Sequence, residues 1–365
     1  MYIVLIIVLL IVATVIAFLQ LPKFGKMPTG KRLETIKESP QYKNGSFQNE
    51  SFTPDLTEGA SFFSVGKEFF FGEKKRRKPA DEIPSVKTNL LTLDIHKDVL
   101  VWFGHSSYFM QIDGKRILVD PVLSGFASPI SFTTKAYKGT DIYSTDEIPE
   151  IDYLFISHDH WDHLDYRTLK KLQPKIKNII CSLGTGQHLE HWGFNSNIIF
   201  EKDWHQQIIL ADDFVVNTVP ARHFSGRGLK RNQALWTSYV LQTPSMKIFI
   251  GGDSGYDKHF VAIGEKFGPF DLAILENGQY NKSWKYIHMM PQEVLQAAKE
   301  LGALRLFPVH SSKFSLAIHD WDEPLSTITS LNKNETISLI TPMIGEQVNL
   351  KDNDQQFSEW WKNIR

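Results

Sequence analysis

Cysteine is nearly absent from this chain. Among 365 residues there is one, Cys181, which excludes an intrachain disulfide framework and leaves the redox compartment open. Following Ile179 and Ile180, it reads as a buried thiol at a strand end. Excess charge is missing as well: the formal net charge is -1, so no global field favours nucleic acid. The chain has no G-x-S-x-G nucleophile elbow, no repeat of solenoid period, and no low-complexity tract beyond the stretch from 23 to 95. What is present is the composition of an ordered globular protein, 42% hydrophobic, 12% aromatic and 22% charged. Its length allows one large domain or two ordinary ones.

Charge is wholly missing from Tyr2 to Leu19, where Thr14 is the one weakly polar member. A helix of that length spans about 27 Å, enough to cross a thin hydrocarbon core. A cleaved signal peptide would start basic and end on a small-x-small site, and neither Met1-Tyr2 nor Leu19-Gln20-Leu21-Pro22 supplies these. Residues 1–22 are therefore expected to be a single-pass transmembrane anchor. Lys23, Lys26, Lys31 and Arg32 behind it place the bulk of the chain on the cytoplasmic side by the positive-inside rule. Residues 23–95 read as a linker and N-terminal extension. Within them Lys74-Lys-Arg-Arg-Lys78 is either a solvated face or a contact for anionic headgroups, worth about 1 kcal/mol per cation. Triplets of glycosylation type at Asn44, Asn49, Asn281 and Asn334 are short enough to arise by chance.

Order is expected from Val99 onward, so residues 96–365 form the main folded domain. Val99 to Phe103, Tyr108 to Ile112 and Arg116 to Asp120 read as strands, and Asp113-Gly114 as a hairpin turn. Ile151 to Ile156 is a buried strand, Tyr166 to Leu172 a helix, and Asn178 to Cys181 the next strand. Further strands are expected near 208–210, 214–219, 237–242, 247–250, 272–275 and 305–308. A helix from about Pro291 to Leu301 opens with proline and stops before Gly302. Strands with interspersed helices make an α+β domain of packed sheets with helices outside.

The densest chemistry is Ser157-His-Asp-His-Trp-Asp-His163, at the polar exit of a buried strand. Imidazole and carboxylate at such spacing suit a borderline metal such as zinc. His223, Asp253 and His310 sit at comparable strand exits, where a rigid sheet can converge residues distant in sequence. His158, His160 and His223 would hold one metal; Asp162, His163 and His310 a second, with Asp253 bridging. Two dications about 3.5–4 Å apart share a water and depress its pKa. The cofactor expected is two Zn2+, with Mn2+ or Fe2+ as alternatives. Without a nucleophile elbow, direct attack by metal-held hydroxide is simpler than a covalent route.

H-x-H-x-D-H followed by His, Asp and His resembles the metallo-β-lactamase superfamily, which implies an αβ/βα sandwich with a dimetal site at the sheet edges. More narrowly, the chain is similar to the N-acylphosphatidylethanolamine-hydrolysing phospholipase D family and its bacterial relatives. The similarity rests on Phe103-Gly-His-Ser106, Leu118-Val-Asp-Pro121, Ile156 to Asp165, Pro220 to Arg227, Gly251 to Tyr256, Gly264 to Asp271 and His288 to Glu293. It implies His158, His160, Asp162, His163, His223, Asp253 and His310 as metal ligands and Asp162 as catalytic. His288 is implied to lie by the substrate phosphate, binding a phosphoryl oxygen or protonating the leaving group. The resulting expectation is a phospholipase D-type phosphodiesterase acting on membrane phospholipid, releasing phosphatidate and an amide alcohol. A lactonase, a nucleotide phosphodiesterase and a non-catalytic metal-binding protein remain alternatives.

Around this set, His105 and Asp120 are candidates for supporting the ligands, Asp120 by orienting a histidine. Tyr256 and Tyr280 either line the cleft or pack. His319 is expected outside the ligand set. His188 and His191 lack the spacing of a zinc motif and are rejected.

Overall fold

The computed structural model describes residues 1–72, 76–333 and 337–365. Lys74 and Lys75 of the basic run and the Asn334 triplet lie outside the described residues. The chain opens with helix α1 (Tyr2–Leu19), apolar on all sides and with no buried residue. A helix apolar all round belongs in a core or a bilayer, and α1 is in no core. Its length and hydropathy are those of a membrane-crossing helix or a signal sequence.

The stretch read as linker and extension is laid against the rest of the protein. Helix α2 (Gly30–Glu38), the hairpin of β1 (Tyr42–Lys43) and β2 (Ser46–Phe47), and helix α3 (Phe62–Phe71) lie here. Ile36 and Phe47 are buried with Leu183, Trp204, Leu235 and Trp236. Arg32 ties α2 down through Glu190 at 2.8 Å and Glu201 at 2.6 Å. The turn leaving α1 is fixed as well. Trp192 Nε1 donates to the Pro22 carbonyl (2.7 Å), Arg227 Nη2 to that of Lys23 (2.8 Å), and the Lys26 amide to His188 Nδ1 (3.0 Å). Gly25 permits this approach: its φ is +73°, and a Cβ there would lie 2.0 Å from His188 Nδ1.

The apolar runs after Val99 pair into two seven-stranded sheets. The first is built from β3 (Val99–Trp102), β4 (Tyr108–Ile112), β5 (Lys115–Val119), β6 (Ile151–Ile156), β7 (Ile176–Ser182) and β8 (Ile199–Lys202). The second is built from β9 (Gln207–Ile209), β10 (Val215–Val219), β11 (Ser238–Gln242), β12 (Lys247–Ile250), β13 (Leu272–Glu276), β14 (Arg305–Val309) and β15 (Ser338–Leu339). The late strand β16 (Gln347–Asn349) returns to pair with β3. In each sheet antiparallel pairing gives way to parallel, at β5–β6 in the first and β12–β13 in the second. The β4–β5 turn has Asp113 and Gly114 at φ of 46° and 72°, the left-handed pair that a two-residue hairpin requires.

Period-two alternation then sorts the side chains. Ile117, Phe155, Tyr239, Ile248 and Ile274 meet between the sheets. Leu118, Leu154 and Ile179 face outward under α4 (Tyr166–Leu172) and α5 (Gly186–His191). Phe249, Ala273 and Leu306 face α6 (His259–Phe267), α7 (Pro291–Glu300) and α8 (Glu323–Asn332). The result is an αβ/βα sandwich, each buried large side chain contributing about 1.5–3 kcal/mol. Cys181 is buried in β7, and burial pushes its thiol well above the ordinary range.

A buried polar contact crosses the sandwich beneath the His158 loop: Tyr239 Oη donates to the Ile156 carbonyl at 2.6 Å. Tyr239→Phe leaves that buried carbonyl without its partner, at a cost of about 1–3 kcal/mol. Urea titration is expected to show a lower midpoint with unchanged slope, and an unchanged midpoint would contradict this role.

Candidate metal centre

All the histidines and carboxylates singled out at strand exits meet at one end of the sandwich. His158 to His163 follow β6, His223 follows β10, Asp253 follows β12 and His310 follows β14. Gly252 makes the inter-sheet approach possible: its φ is +59°, and a Cβ there would sit 2.7 Å from that of Ser157. His105, Asp120 and His310 hold φ of 55°, 41° and 68°, costing about 1–3 kcal/mol each and clustering where function concentrates.

The nitrogens of His158, His160 and His223 lie within 4.8 Å of one another. A second group within the same limit comprises Asp162, His163, His310 and His105. Asp253 stands between them, its carboxylate 3.2 Å from His163 Nε2, 3.7 Å from His223 Nε2 and 3.2 Å from His310 Nδ1. All these residues are buried except the half-buried His160.

The donor set fits a pair of cations. His223 Nδ1 donates to the Ile287 carbonyl at 2.9 Å, so its Nε2 carries a lone pair. His163 Nδ1 lies 2.8 Å from Asp120 Oδ2, its donor direction, which leaves Nε2 of His163 facing inward. His158 Nε2, His160 Nδ1 and His223 Nε2 thus crowd together, at 2.9 and 3.3 Å. His163 Nε2 and Asp253 Oδ1 are buried with no hydrogen-bond partner. Such convergent lone pairs are what a dication binds.

Three of the histidines are in the charge state a metal needs. His163 is the exception: burial lowers it, but Asp253, Asp162 and Asp120 outweigh that and raise it well above the ordinary histidine range. A cation at its Nε2 would take the place of that proton. Burial pushes His158, His223 and His310 well below the ordinary histidine range, keeping them neutral as ligands must be. Burial pushes Asp253 upward, but His163 and His310 outweigh it and hold the carboxyl well below its usual range. Asp162 is held low in the same way, against burial, by His163 and a hydrogen bond from His105.

Supporting residues bracket the cluster. Asp120 accepts from the Ser157 amide (2.8 Å), Ser157 Oγ (2.6 Å) and His163. His105 Nε2 holds Asp162 at 2.8 Å, and Ser106 Oγ lies 2.8 Å from His310 Nδ1. His288 stacks beside His310 and bonds through Nδ1 to Glu276 Oε2 at 2.9 Å. Glu276 also accepts from the Met289 amide and is fully buried. Burial lowers His288, but Glu276 more than offsets that and raises it.

Several residues here were not visible as functional. Asn49 grips the backbone of His223 from both sides, at 2.8 and 3.1 Å. Arg227 donates to the carbonyls of Asp159 and Leu164 while lying 4.0 Å over the Trp161 ring. Lys313, buried, pins the loops after β3 and β5 through the Phe103 and Val122 carbonyls. Glu276 did carry a signal, a charge ending the apolar strand Leu272 to Leu275. Tyr256 and Tyr280 do not line the cleft: they bond Glu300 and Glu323. His319 accepts from the Gln279 amide. His188 bonds Asp159, and His191 is exposed.

Above the cluster lies a cleft of about 570 Å³, walled by Leu56, Phe62, Val65, Phe224, Trp284 and Leu316. Its cation, Arg231, lies 4.1 Å over the Phe224 ring and is paired with Asp55 at 3.0 Å.

Sandwich and cluster together define a metal-dependent hydrolase of the metallo-β-lactamase fold. The chain belongs to the beta-lactamase superfamily, whose domain model matches residues 115–311. An uncharacterized protein of Mycobacterium tuberculosis is 35% identical over 337 residues, covering 89% of this chain and 88% of its own. N-acyl-phosphatidylethanolamine-hydrolyzing phospholipase D 1 of Caenorhabditis elegans is 30% identical over 254 residues, 64% of this chain and 70% of its own. Among solved structures, a metallo hydrolase from the archaeon Ignicoccus hospitalis shares the fold at a TM-score of 0.51 and 21% identity, over 69% of this chain and 97% of its own.

Metal removal tests the fit. Adding divalent transition metal to chelated protein is expected to raise the unfolding temperature, by the equivalent of about 2.7 kcal/mol at a hundredfold excess over Kd. No shift with zinc, manganese or iron would contradict it.

Proposed function

We propose that this chain is a membrane-tethered phosphodiesterase that cuts an N-acylphosphatidylethanolamine-type phospholipid, using two metal ions, zinc first among the candidates. The observation that carries the reading is the apolar wall of the cleft directly over the ligand cluster. A nucleotide would ask for several cations where, among the described residues, this cleft has one guanidinium, already paired with Asp55. The worm relative's activity supports the same substrate class. Residues 1–22 serve as the anchor, 23–95 as an extension and 96–365 as the hydrolase domain, on the cytoplasmic side.

His158, His160 and His223 would hold one ion, and Asp162, His163 and His310 the other, with Asp253 between. Bound there, two dications lower the pKa of water and neutralise phosphoryl oxygens. The chain's own residues do the rest. Asp120, His105 and Ser106 fix ring and carboxylate orientations. In this reading Asp162 accepts the proton of the attacking water. His288, steadied at Nδ1 by Glu276, offers Nε2 to a phosphoryl oxygen or to the departing alcohol. Water adds to phosphorus, the bond to the ethanolamine oxygen breaks, and that oxygen takes a proton, giving phosphatidate and an N-acylethanolamine.

The test is turnover of an N-acylated phospholipid, bis-p-nitrophenyl phosphate and a lactone. Wild type is expected to prefer the phospholipid, and turnover of the lactone alone would sink the reading. Asp162→Asn is expected to lose about 10²–10⁴-fold. If His288 protonates the leaving oxygen, His288→Asn loses about 10²-fold on the lipid and far less on bis-p-nitrophenyl phosphate, whose leaving group needs no acid. Equal losses on both would remove that role.

A further inference from the structure

Helix α3 is short, yet five of its ten residues are phenylalanines, and none of its residues is buried. Phe63, Phe70 and Phe71 are 82%, 66% and 84% exposed. Phe62 and Phe69, and likewise Phe63 and Phe70, stand seven residues apart, so each pair shares one side of the helix. A contiguous exposed aromatic surface of this kind marks an interaction site.

The helix is held in place. Before it, the Thr57 amide donates to the Ser283 carbonyl at 2.7 Å. Ser61 caps its N-terminus by accepting from the Ser64 amide at 3.0 Å. After it, Arg77 donates to the terminal carbonyls of Glu68 and Phe69, and Arg76 pairs with Asp322 at 2.5 Å. On its inner side, Phe62 and Val65 line the catalytic cleft.

The cleft lining also leads to α1. Trp161 lines the cleft and packs edge-on against Phe24, which packs against Phe18 in the last turn of α1. Arg227, Trp192 and His188 lock the intervening turn. The cleft mouth is therefore flanked by two exposed apolar helices, both docked on the same domain. Exposed Lys67 on α3 and Lys78 beyond it add positive charge beside the aromatics, matching an anionic lipid surface.

We propose that α3 is a second membrane contact, an interfacial helix whose phenylalanines enter the bilayer surface and set the cleft mouth against the lipid. The inference rests on the lipid reading above, and its occupant is a bilayer with anionic headgroups. A helix lying in the interface needs an apolar side for the acyl boundary and cations at headgroup level. Helix α3 supplies the first, and Lys67 and Lys78 supply the second beside the one exposed carboxylate of the helix, Glu68.

The experiment uses the full chain in vesicles of phosphatidylcholine and phosphatidylglycerol, with and without brominated acyl chains. A polarity-sensitive dye is attached at Phe70→Cys or, as control, at Leu304→Cys, which is exposed at the far end of β14; Cys181 is buried and stays unlabelled. Quenching by bromolipid is expected to be several-fold greater at position 70 than at 304. Equal quenching would overturn the proposal. In parallel, Phe63→Ser/Phe70→Ser/Phe71→Ser is expected to lose about tenfold or more on vesicle-borne N-acylated phospholipid and keep wild-type turnover of soluble bis-p-nitrophenyl phosphate. Undiminished turnover on vesicles would count against it. If wild type failed to cleave the phospholipid, the substrate reading would fall, and the quenching result would still decide the place of α3.

Discussion

Imidazole nitrogens and carboxylate oxygens converge in one buried pocket, and this electrostatic constraint governs the rest of the molecule. Left alone, His158 Nε2 and His223 Nε2 compete for one proton on His160 Nδ1, and Asp253 is a desolvated charge. Cations resolve both problems at once. Holding the lone pairs in register requires neighbours that take up the outward-facing ring nitrogens. Asp120 does this for His163 and the Ile287 carbonyl for His223. The left-handed backbone at His105, Asp120 and His310 is the conformational cost of aiming side chains from several strands at one point.

The sandwich supplies the rigidity that this cost demands. Strand exits from two sheets face each other, bridged by Tyr239 and brought close at Gly252. Loops alone would leave the same residues free to part. The N-terminal stretch completes the arrangement: Asn49 fixes the backbone of His223, and the turn after α1 is fastened to Arg227, which also holds the His158 loop.

Much of this was legible because it is local. His158 to His163 declare themselves by spacing, and His223, Asp253 and His310 by following apolar runs. Strand limits such as Lys247–Ile250 and the helix Tyr166–Leu172 follow from periodicity and punctuation. Asn49, Arg227 and Lys313 were not legible, since their partners lie tens to hundreds of residues away. The order in 23–95 was hidden for a related reason. Short segments such as α2 and the β1–β2 hairpin have no periodicity long enough to register, and they are stabilised by Ile36 and Phe47 docking on a distant face. Two tyrosines judged by type alone proved to be packing residues, tied to Glu300 and Glu323.

The central claim is that the buried histidines and carboxylates exist to hold two metal ions. Metal content of the purified full-length protein, measured by plasma mass spectrometry against protein concentration, tests it most directly. The account predicts close to two equivalents of transition metal per chain, falling when His163 or Asp253 is replaced by alanine. Fewer than one equivalent in protein purified without chelator, and no uptake from added zinc, manganese or iron, would contradict it.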